Sequence, residues 1–241
     1  MLATRVIPVV LYNGSQAVKT VRFCKPRNVG SVTQAARVYE QRQVDELVFL
    51  DIGARRRGEP DWKTVEAFAA ELSCPFSVGG GIRSLDDATR LLGAGADKVV
   101  VGAGAGEDWV RLVGDIAEHF GSQAVIASVA VDRGFVWPAR TEYYPVRPEK
   151  MQKAGAGEIL LTDVWCEGTR AGFNASLISV VVRRLTIPLI ANGGCSGPDD
   201  CVAAIQAGAS AVAASSIFHF TEATPADCSK ALRAAGIPVR L

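Results

Sequence analysis

The 241-residue chain has only two histidines, at positions 119 and 219. With no clustered ligands beside them, a metal site has no support, and no cofactor is expected. Its six cysteines (24, 74, 166, 195, 201 and 228) form no CxxC. With no signal peptide, they read as reduced thiols in a cytosol, so a cytoplasmic location is expected. The formal net charge is only +1, which argues against a nucleic-acid partner while leaving room for small anions. The opening MLATRVIPVVLYNG is too short in apolar length to span a membrane and carries no cleavage-site pattern. Low-complexity linkers are also missing. The chain therefore reads as a single domain, 1–241, close to the ~250 residues typical of one (β/α)8 barrel.

What is present is a unit used twice. Residues 75–102, PFSVGGGIRSLDDATRLLGAGADKVVVG, align without a gap to 188–215, PLIANGGCSGPDDCVAAIQAGASAVAAS, at an offset of 113. Each copy is a short apolar strand, a Gly-Gly turn, a helix opened by an acidic pair, and a second apolar strand. Acidic residues suit the positive end of a helix dipole. A repeat of this length sets the architecture. Glycine-rich turns between strand and helix hold anions with backbone N–H groups, so two such turns suggest a ligand with two phosphates. The alternative is that the glycines only make the turns tight.

Taken in order, the elements alternate. Strands are expected at Arg5–Leu11, Glu46–Ile52, in both copies of the repeat, over QAVIASVAVD (123–132), and over GEILLTDV (157–164). Helices are expected about Ser31–Gln43, with Ser31 as N-cap, then after the loop GARRRGEP, about Glu107–Phe120, Pro148–Ala154, Ala175–Arg184 and Pro225–Ala235. Residues 12–30 and 133–146 read as loops, and SSIFHF as a short turn. Eight strands in strict alternation with helices predict a parallel (β/α)8 barrel rather than a sandwich, with an open doubly wound sheet as the runner-up. In a barrel the chemistry sits at the C-terminal strand ends. There the polar candidates are Asp51, Asp132, Asp163, Asn192, Ser215 and Ser216, with Lys19 in the first loop. Arg55-Arg56-Arg57 follows the second strand as an anion site or, more simply, a solvated charge run. Cys166 and Cys195 lie in top-face loops. Trp109, Trp137 and Trp165 read as packing or loop anchors.

The segments DELVFLDI (45–52), FSVGGGI (76–82), GADKV (95–99), FGSQAV (120–125), GAGEILLT (155–162) and SIFHF (216–220) closely resemble the cyclase subunit of imidazole glycerol phosphate synthase. The resemblance covers essentially the whole chain. It implies a (β/α)8 barrel that receives ammonia from a class I glutaminase docked at the bottom. The family uses that ammonia on a bis-phosphate ribulosyl substrate at the top. The opening RVIPVVLYNG, followed by VKTVRF and KPR, resembles a subgroup, the glycosyl amidation-associated proteins. That likeness implies a sugar-type acceptor and an ATP-dependent amidating protein as a further partner.

Several positions carry the family's machinery and several do not. Arg5, Glu46, Lys98 and Glu158 match the family's ring of charged residues at the barrel floor, its ammonia gate; the alternative is a ring that merely plugs and stabilises the floor. Asp97 matches a glutaminase contact, and Lys19 a functional lysine. The two acid/base aspartates fall at Leu11 and Ala130, which cannot transfer protons. Asp132 would replace the second only if the strand continues regularly in phase. Of the phosphate clamps, the first is altered: Gly102, Ala103 and Gly104 stand where side-chain donors are usual, with Gly81 nearby. The second, at Gly168, Gly193, Gly194, Ser215 and Ser216, is kept, although Glu167 replaces an aspartate. The resemblance thus implies the synthase-side, lyase-type subunit of a glutamine-dependent amidotransferase with altered chemistry. Asp132, Asp51, Lys19 and Asp163 are its candidate catalytic residues, and the acceptor is a small phosphorylated or sugar-type molecule. Two alternatives stay open: a cyclase with relocated acids, and a non-catalytic scaffold that activates a glutaminase.

Overall fold

The computed structural model describes residues 3–102, 108–132, 135–136 and 148–240. The strands are β1 (Arg5–Tyr12), β2 (Ala17–Val21), β3 (Cys24–Gly30), β4 (Leu47–Asp51), β5 (Phe76–Gly79), β6 (Lys98–Gly102), β7 (Val125–Asp132), β8 (Phe135–Val136), β9 (Glu158–Asp163), β10 (Leu189–Asn192) and β11 (Ala211–Ala214). Eight of them pair in parallel around a circuit, β1-β4-β5-β6-β7-β9-β10-β11, and β11 closes onto β1. This is a (β/α)8 barrel. Its strands are covered on both faces, which is why they read as near-continuous apolar runs.

The helices α1 (Val32–Gln41), α2 (Ala54–Arg57), α3 (Trp62–Ala69), α4 (Leu85–Gly93), α5 (Trp109–Phe120), α6 (Pro148–Ala154), α7 (Ala175–Val182), α8 (Pro198–Gln206), α9 (Ser216–Phe220) and α10 (Pro225–Ala234) wrap the barrel. The start expected for α5 near Glu107 lies outside the described residues, as do Trp137 and most of the 133–146 loop. The repeat survives in three dimensions. Shifting β5 and α4 by 113 gives the bounds of β10 and α8. In both copies the second aspartate accepts from the loop before its helix: Asp87 from the Arg83 amide at 2.9 Å, Asp200 from the Ser196 amide at 2.7 Å.

Two cores result. Val6, Val10, Phe49, Val78, Val99, Leu161 and Val212 face the helices. Ile7, Val9, Val48, Val100, Ile126, Leu160, Ile190, Ala211 and Ala213 fill the barrel interior. Strand alternation assigns each residue to one core or the other.

Four segments differ from the sequence expectation, one of them the 133–146 loop, where β8 pairs antiparallel with the end of β7. Residues 12–30 contain the antiparallel hairpin β2–β3, with β2 added to the edge of β1 through Leu11–Val18 and Tyr12–Ala17. Its turn carries Arg22 and Phe23 at φ of 53° and 58° rather than the Asn-Gly that announces such a turn. The loop after β4 contains the short helix α2, and SSIFHF is helical from Ser216. Ser31 sits at the N-cap of α1 without capping it. Its hydroxyl pairs instead with that of Thr33 at 2.8 Å.

Candidate functional site

The N-terminal strand ends close the barrel floor with charge. Arg5 Nη1 donates to Glu46 at 2.5 Å, and Arg5 Nη2 also pairs with Glu158. Lys98 Nζ reaches Glu46 at 3.2 Å and Glu158 at 2.5 Å, and Ser77 Oγ adds a bond to Glu46 at 3.1 Å. Each cation thus touches both carboxylates and each carboxylate both cations, so the ring is self-neutralising. Burial opposes the charge on Arg5, but the bonds to Glu158 and Glu46 outweigh it and raise its pKa. Burial likewise opposes ionisation of Glu158, yet Arg5 and Lys98 hold its carboxyl below the ordinary value. Asp97, beside the ring, accepts from the Phe76 amide at 2.9 Å.

Above the ring the interior is apolar up to the C-terminal strand ends. There a cleft opens, lined by Leu11, Lys19, Phe23, Leu50, Ser128, Thr162, Glu167, Gly168, Arg170, Asn192, Gly193, Gly194, Cys195, Ser215 and Ser216 among others. Ser128, Thr162 and Asn192 enter it because they keep the inward phase of β7, β9 and β10. Asn192 Nδ2 donates to Thr162 Oγ1 at 2.9 Å. Gly194 has a φ of 108°, and a Cβ there would sit 2.1 Å from the Gly172 carbonyl oxygen, so only glycine makes this turn.

The buried charge in the described lining of the cleft is one pair, while Arg170 is exposed at its rim. Lys19, 5% exposed, is ion-paired with Glu167, 4% exposed. Burial pushes the Lys19 ammonium down to about 8. Glu167 also accepts from Thr20 Oγ1 at 3.3 Å and from the Phe23 amide at 3.0 Å. Nearby, Ser215 Oγ and His219 Nε2 are buried with no hydrogen-bond partner among the described residues. Burial, then the charges of Lys19 and Arg42, hold the His219 imidazole down at about 4, so it stays neutral.

The cleft therefore brings together Lys19, Gly168, Gly193, Gly194, Ser215 and Ser216 from the sequence-derived set. It does not receive Asp51 or Asp163. Both sit in the outward phase of their strands, and loop backbone occupies them. Asp51 accepts from Arg57 and from the Asp61 and Gly53 amides, each at 3.1 Å. Burial raises its pKa against those bonds. Asp163 accepts from the Trp165 amide at 2.9 Å, the Cys166 amide at 3.2 Å and Asn174 Nδ2 at 2.8 Å. Gly81 packs against Ala54 and Pro60 away from the cleft, and Gly102 lies against Ser128. Ala103 lies outside the described residues. Asp132 ends β7 in phase with Ser128 and Ala130 and pairs with Phe135. It is absent from the described lining of the cleft. Glu167 and Arg170 were not among the sequence candidates. The charge of Glu167, just ahead of the clamp glycine Gly168, was the available signal. Among the described residues, no group of three or more His, Cys, Asp or Glu side chains could hold a metal.

A family profile described as histidine biosynthesis protein matches residues 5–224. A Campylobacter jejuni protein, provisionally named imidazole glycerol phosphate synthase subunit hisF2, is 40% identical over 248 residues and covers all of both chains. The imidazole glycerol phosphate synthase subunit HisF of Thermobifida fusca is 38% identical over 258 residues, covering 99% of each chain. Among the described residues no helix is long and apolar enough to cross a membrane.

Proposed function

The chain belongs to the histidine biosynthesis protein family, and on that premise we propose that it is the ammonia-accepting subunit of a glutamine-dependent amidotransferase with chemistry altered from that of its relatives. The observation that carries this reading is the contrast along the barrel axis. The four-charge ring of Arg5, Glu46, Lys98 and Glu158 is complete at the floor. At the mouth, the described lining of the cleft contains one carboxylate, Glu167, already paired with Lys19.

Ammonia delivered from below by a class I glutaminase would cross the interior as the neutral molecule, since an apolar core disfavours ammonium. Exclusion of water along Val48, Val100, Leu160 and Ala213 would keep it unprotonated. At the mouth it would meet an acceptor held by the Gly193–Gly194 turn, Ser215 and Ser216. Family cyclisation needs a general acid/base pair near the reacting atoms. The positions where the resembling cyclases carry theirs are Leu11, which lines the cleft, and Ala130. The acceptor is then a phosphorylated or sugar-type molecule to which ammonia adds without that pair. An ATP-dependent amidating protein would complete such a reaction by activating the acceptor.

Reconstitution with the candidate class I glutaminase tests this reading. The expected result is glutamine hydrolysis stimulated at least tenfold, with the stimulation reduced in an Asp97→Ala variant. Hydrolysis unaffected by the barrel protein would remove the partnership. The second reading, a cyclase with relocated acids, is favoured by one observation: β7 continues regularly to Asp132, one inward step past Ala130.

A further inference from the structure

Glu167 ties two parts of the mouth together. It lies in the loop after β9, yet among the described residues the three donors to its carboxylate belong to the β2–β3 hairpin: the Lys19 ammonium, the Thr20 hydroxyl and the Phe23 amide. Its backbone carbonyl accepts from the Arg22 amide at 2.9 Å. The Arg22 side chain continues the seam. Its Nε donates to the Trp165 carbonyl at 3.0 Å, and its guanidinium stacks 3.7 Å above the centroid of the Trp165 ring. Gly168, the next residue, has a φ of 75°, and a Cβ there would lie 2.3 Å from the Thr20 carbonyl oxygen. The two backbones are in direct contact.

The hairpin tip is also held in an unfavourable conformation. Arg22 and Phe23 both have left-handed φ values, which residues with a Cβ adopt at a cost. The contacts that keep them there run to Trp165 and Glu167. A buried ion pair contributes little net stability compared with apolar packing of the same volume, so closure alone does not call for a carboxylate at 167. A carboxylate does, however, imitate a ligand anion. Lys19 is the buried cation of the cleft, and the only carboxylate in the described lining is bound to it.

We propose that Glu167 sets the charge selectivity of the mouth: it latches the hairpin over the cleft and occupies Lys19 as an internal anion, so that a ligand anion reaches Lys19 only by exchanging with it. The exchange rests on the reading of the cleft as an acceptor site; the latch does not.

The test compares the full chain with its Glu167→Gln and Lys19→Met variants, without a partner. Acetic anhydride labelling of Lys19 is followed by peptide mass spectrometry, with exposed Lys230 as the reactivity control and Lys98 of the floor ring as the folding control. Trypsin cleavage is followed after Arg22 and Arg27, since the bond after Lys25 precedes Pro26 and resists. Binding of inorganic phosphate is measured by calorimetry. Glu167→Gln is expected to speed labelling of Lys19 and both cuts at least tenfold and to tighten phosphate binding at least tenfold. Lys19→Met is expected to speed the cuts without tightening phosphate binding. Labelling and cleavage unchanged in Glu167→Gln, with cleavage unchanged in Lys19→Met, would overturn the latch. Faster labelling and cleavage with no phosphate bound by any form would overturn the exchange, and the anion-site reading of the cleft with it, while the latch stands. Weaker phosphate binding in Glu167→Gln would show that the carboxylate assists anions and would overturn the proposed selectivity.

Discussion

The floor and the mouth of this barrel solve the same problem, charge removed from water, in different ways. At the floor, two cations and two carboxylates from β1, β6, β9 and the residue before β4 share every contact. At the mouth, a single pair, Lys19 and Glu167, bridges a hairpin and a loop. A ring anchored on strand ends has little freedom to rearrange. A pair anchored on a hairpin and a loop can separate when those segments move apart. On the proposed reading, the floor sorts what enters and the mouth admits more than one occupant.

The largest expected effect comes from breaking the floor. Glu46→Leu would leave Arg5 and Lys98 sharing Glu158 and strip the acceptor from Ser77. Loss of one partner from a buried ion pair costs about 3–5 kcal/mol, measurable by denaturant unfolding. A change under ~1 kcal/mol would mean that solvent screens the ring and that it behaves as a surface network.

The mouth should show its own sensitivity to pH. His219 is held at about 4 in the fold, against about 6.5 when unfolded. Its folded value is the lower one, so the unfolded chain binds the proton more readily. Stability from this group is fully present above pH 6.5 and is lost as pH falls toward 4, by at most about 3 kcal/mol. His219→Phe should flatten that part of the stability profile. An unchanged slope would contradict a His219 imidazole held neutral by the fold. A smaller effect sharpens the comparison at the hairpin: Arg22→Ala should cost about 0.5–1 kcal/mol, the range for an exposed cation–π contact. It should speed trypsin cleavage after Arg27 while leaving labelling of the floor lysine, Lys98, unchanged. Equal acceleration at both ends would contradict independent behaviour of the two regions.

The barrel was legible because its signals are local and repeated. Glycine pairs, acidic helix starts and apolar runs recur at an offset of 113, and the strands and helices fall where those signals place them. The hairpin was not legible because Arg22 and Phe23 adopt left-handed turn conformations without the usual residues, held there by Trp165 and Glu167, more than 140 positions away. The same reason limited the site. Lys19, Gly168, Gly193, Gly194, Ser215 and Ser216 could be placed at strand ends, and the cleft gathers them. Asp51 and Asp163 look alike in sequence, at the ends of apolar strands, but one step of strand phase turns each away from the cleft and into loop backbone. Asn192, named from its strand end, holds the opposite phase and enters the cleft; Ser128 and Thr162 share that phase, and parity along each strand would have found them. The pairing of Lys19 with Glu167 depends on tertiary closure and has no signature in either segment.

The most direct measurement is the ammonium-dependent cyclase assay, with the bis-phosphate ribulosyl precursor of imidazole glycerol phosphate, ammonium salt, and a family cyclase run alongside. The account predicts no turnover above background from the folded protein, because Leu11 and Ala130 supply no acid or base at the mouth. Turnover comparable to that of the family cyclase would contradict it and would make Asp132, at the end of β7, the first residue to replace.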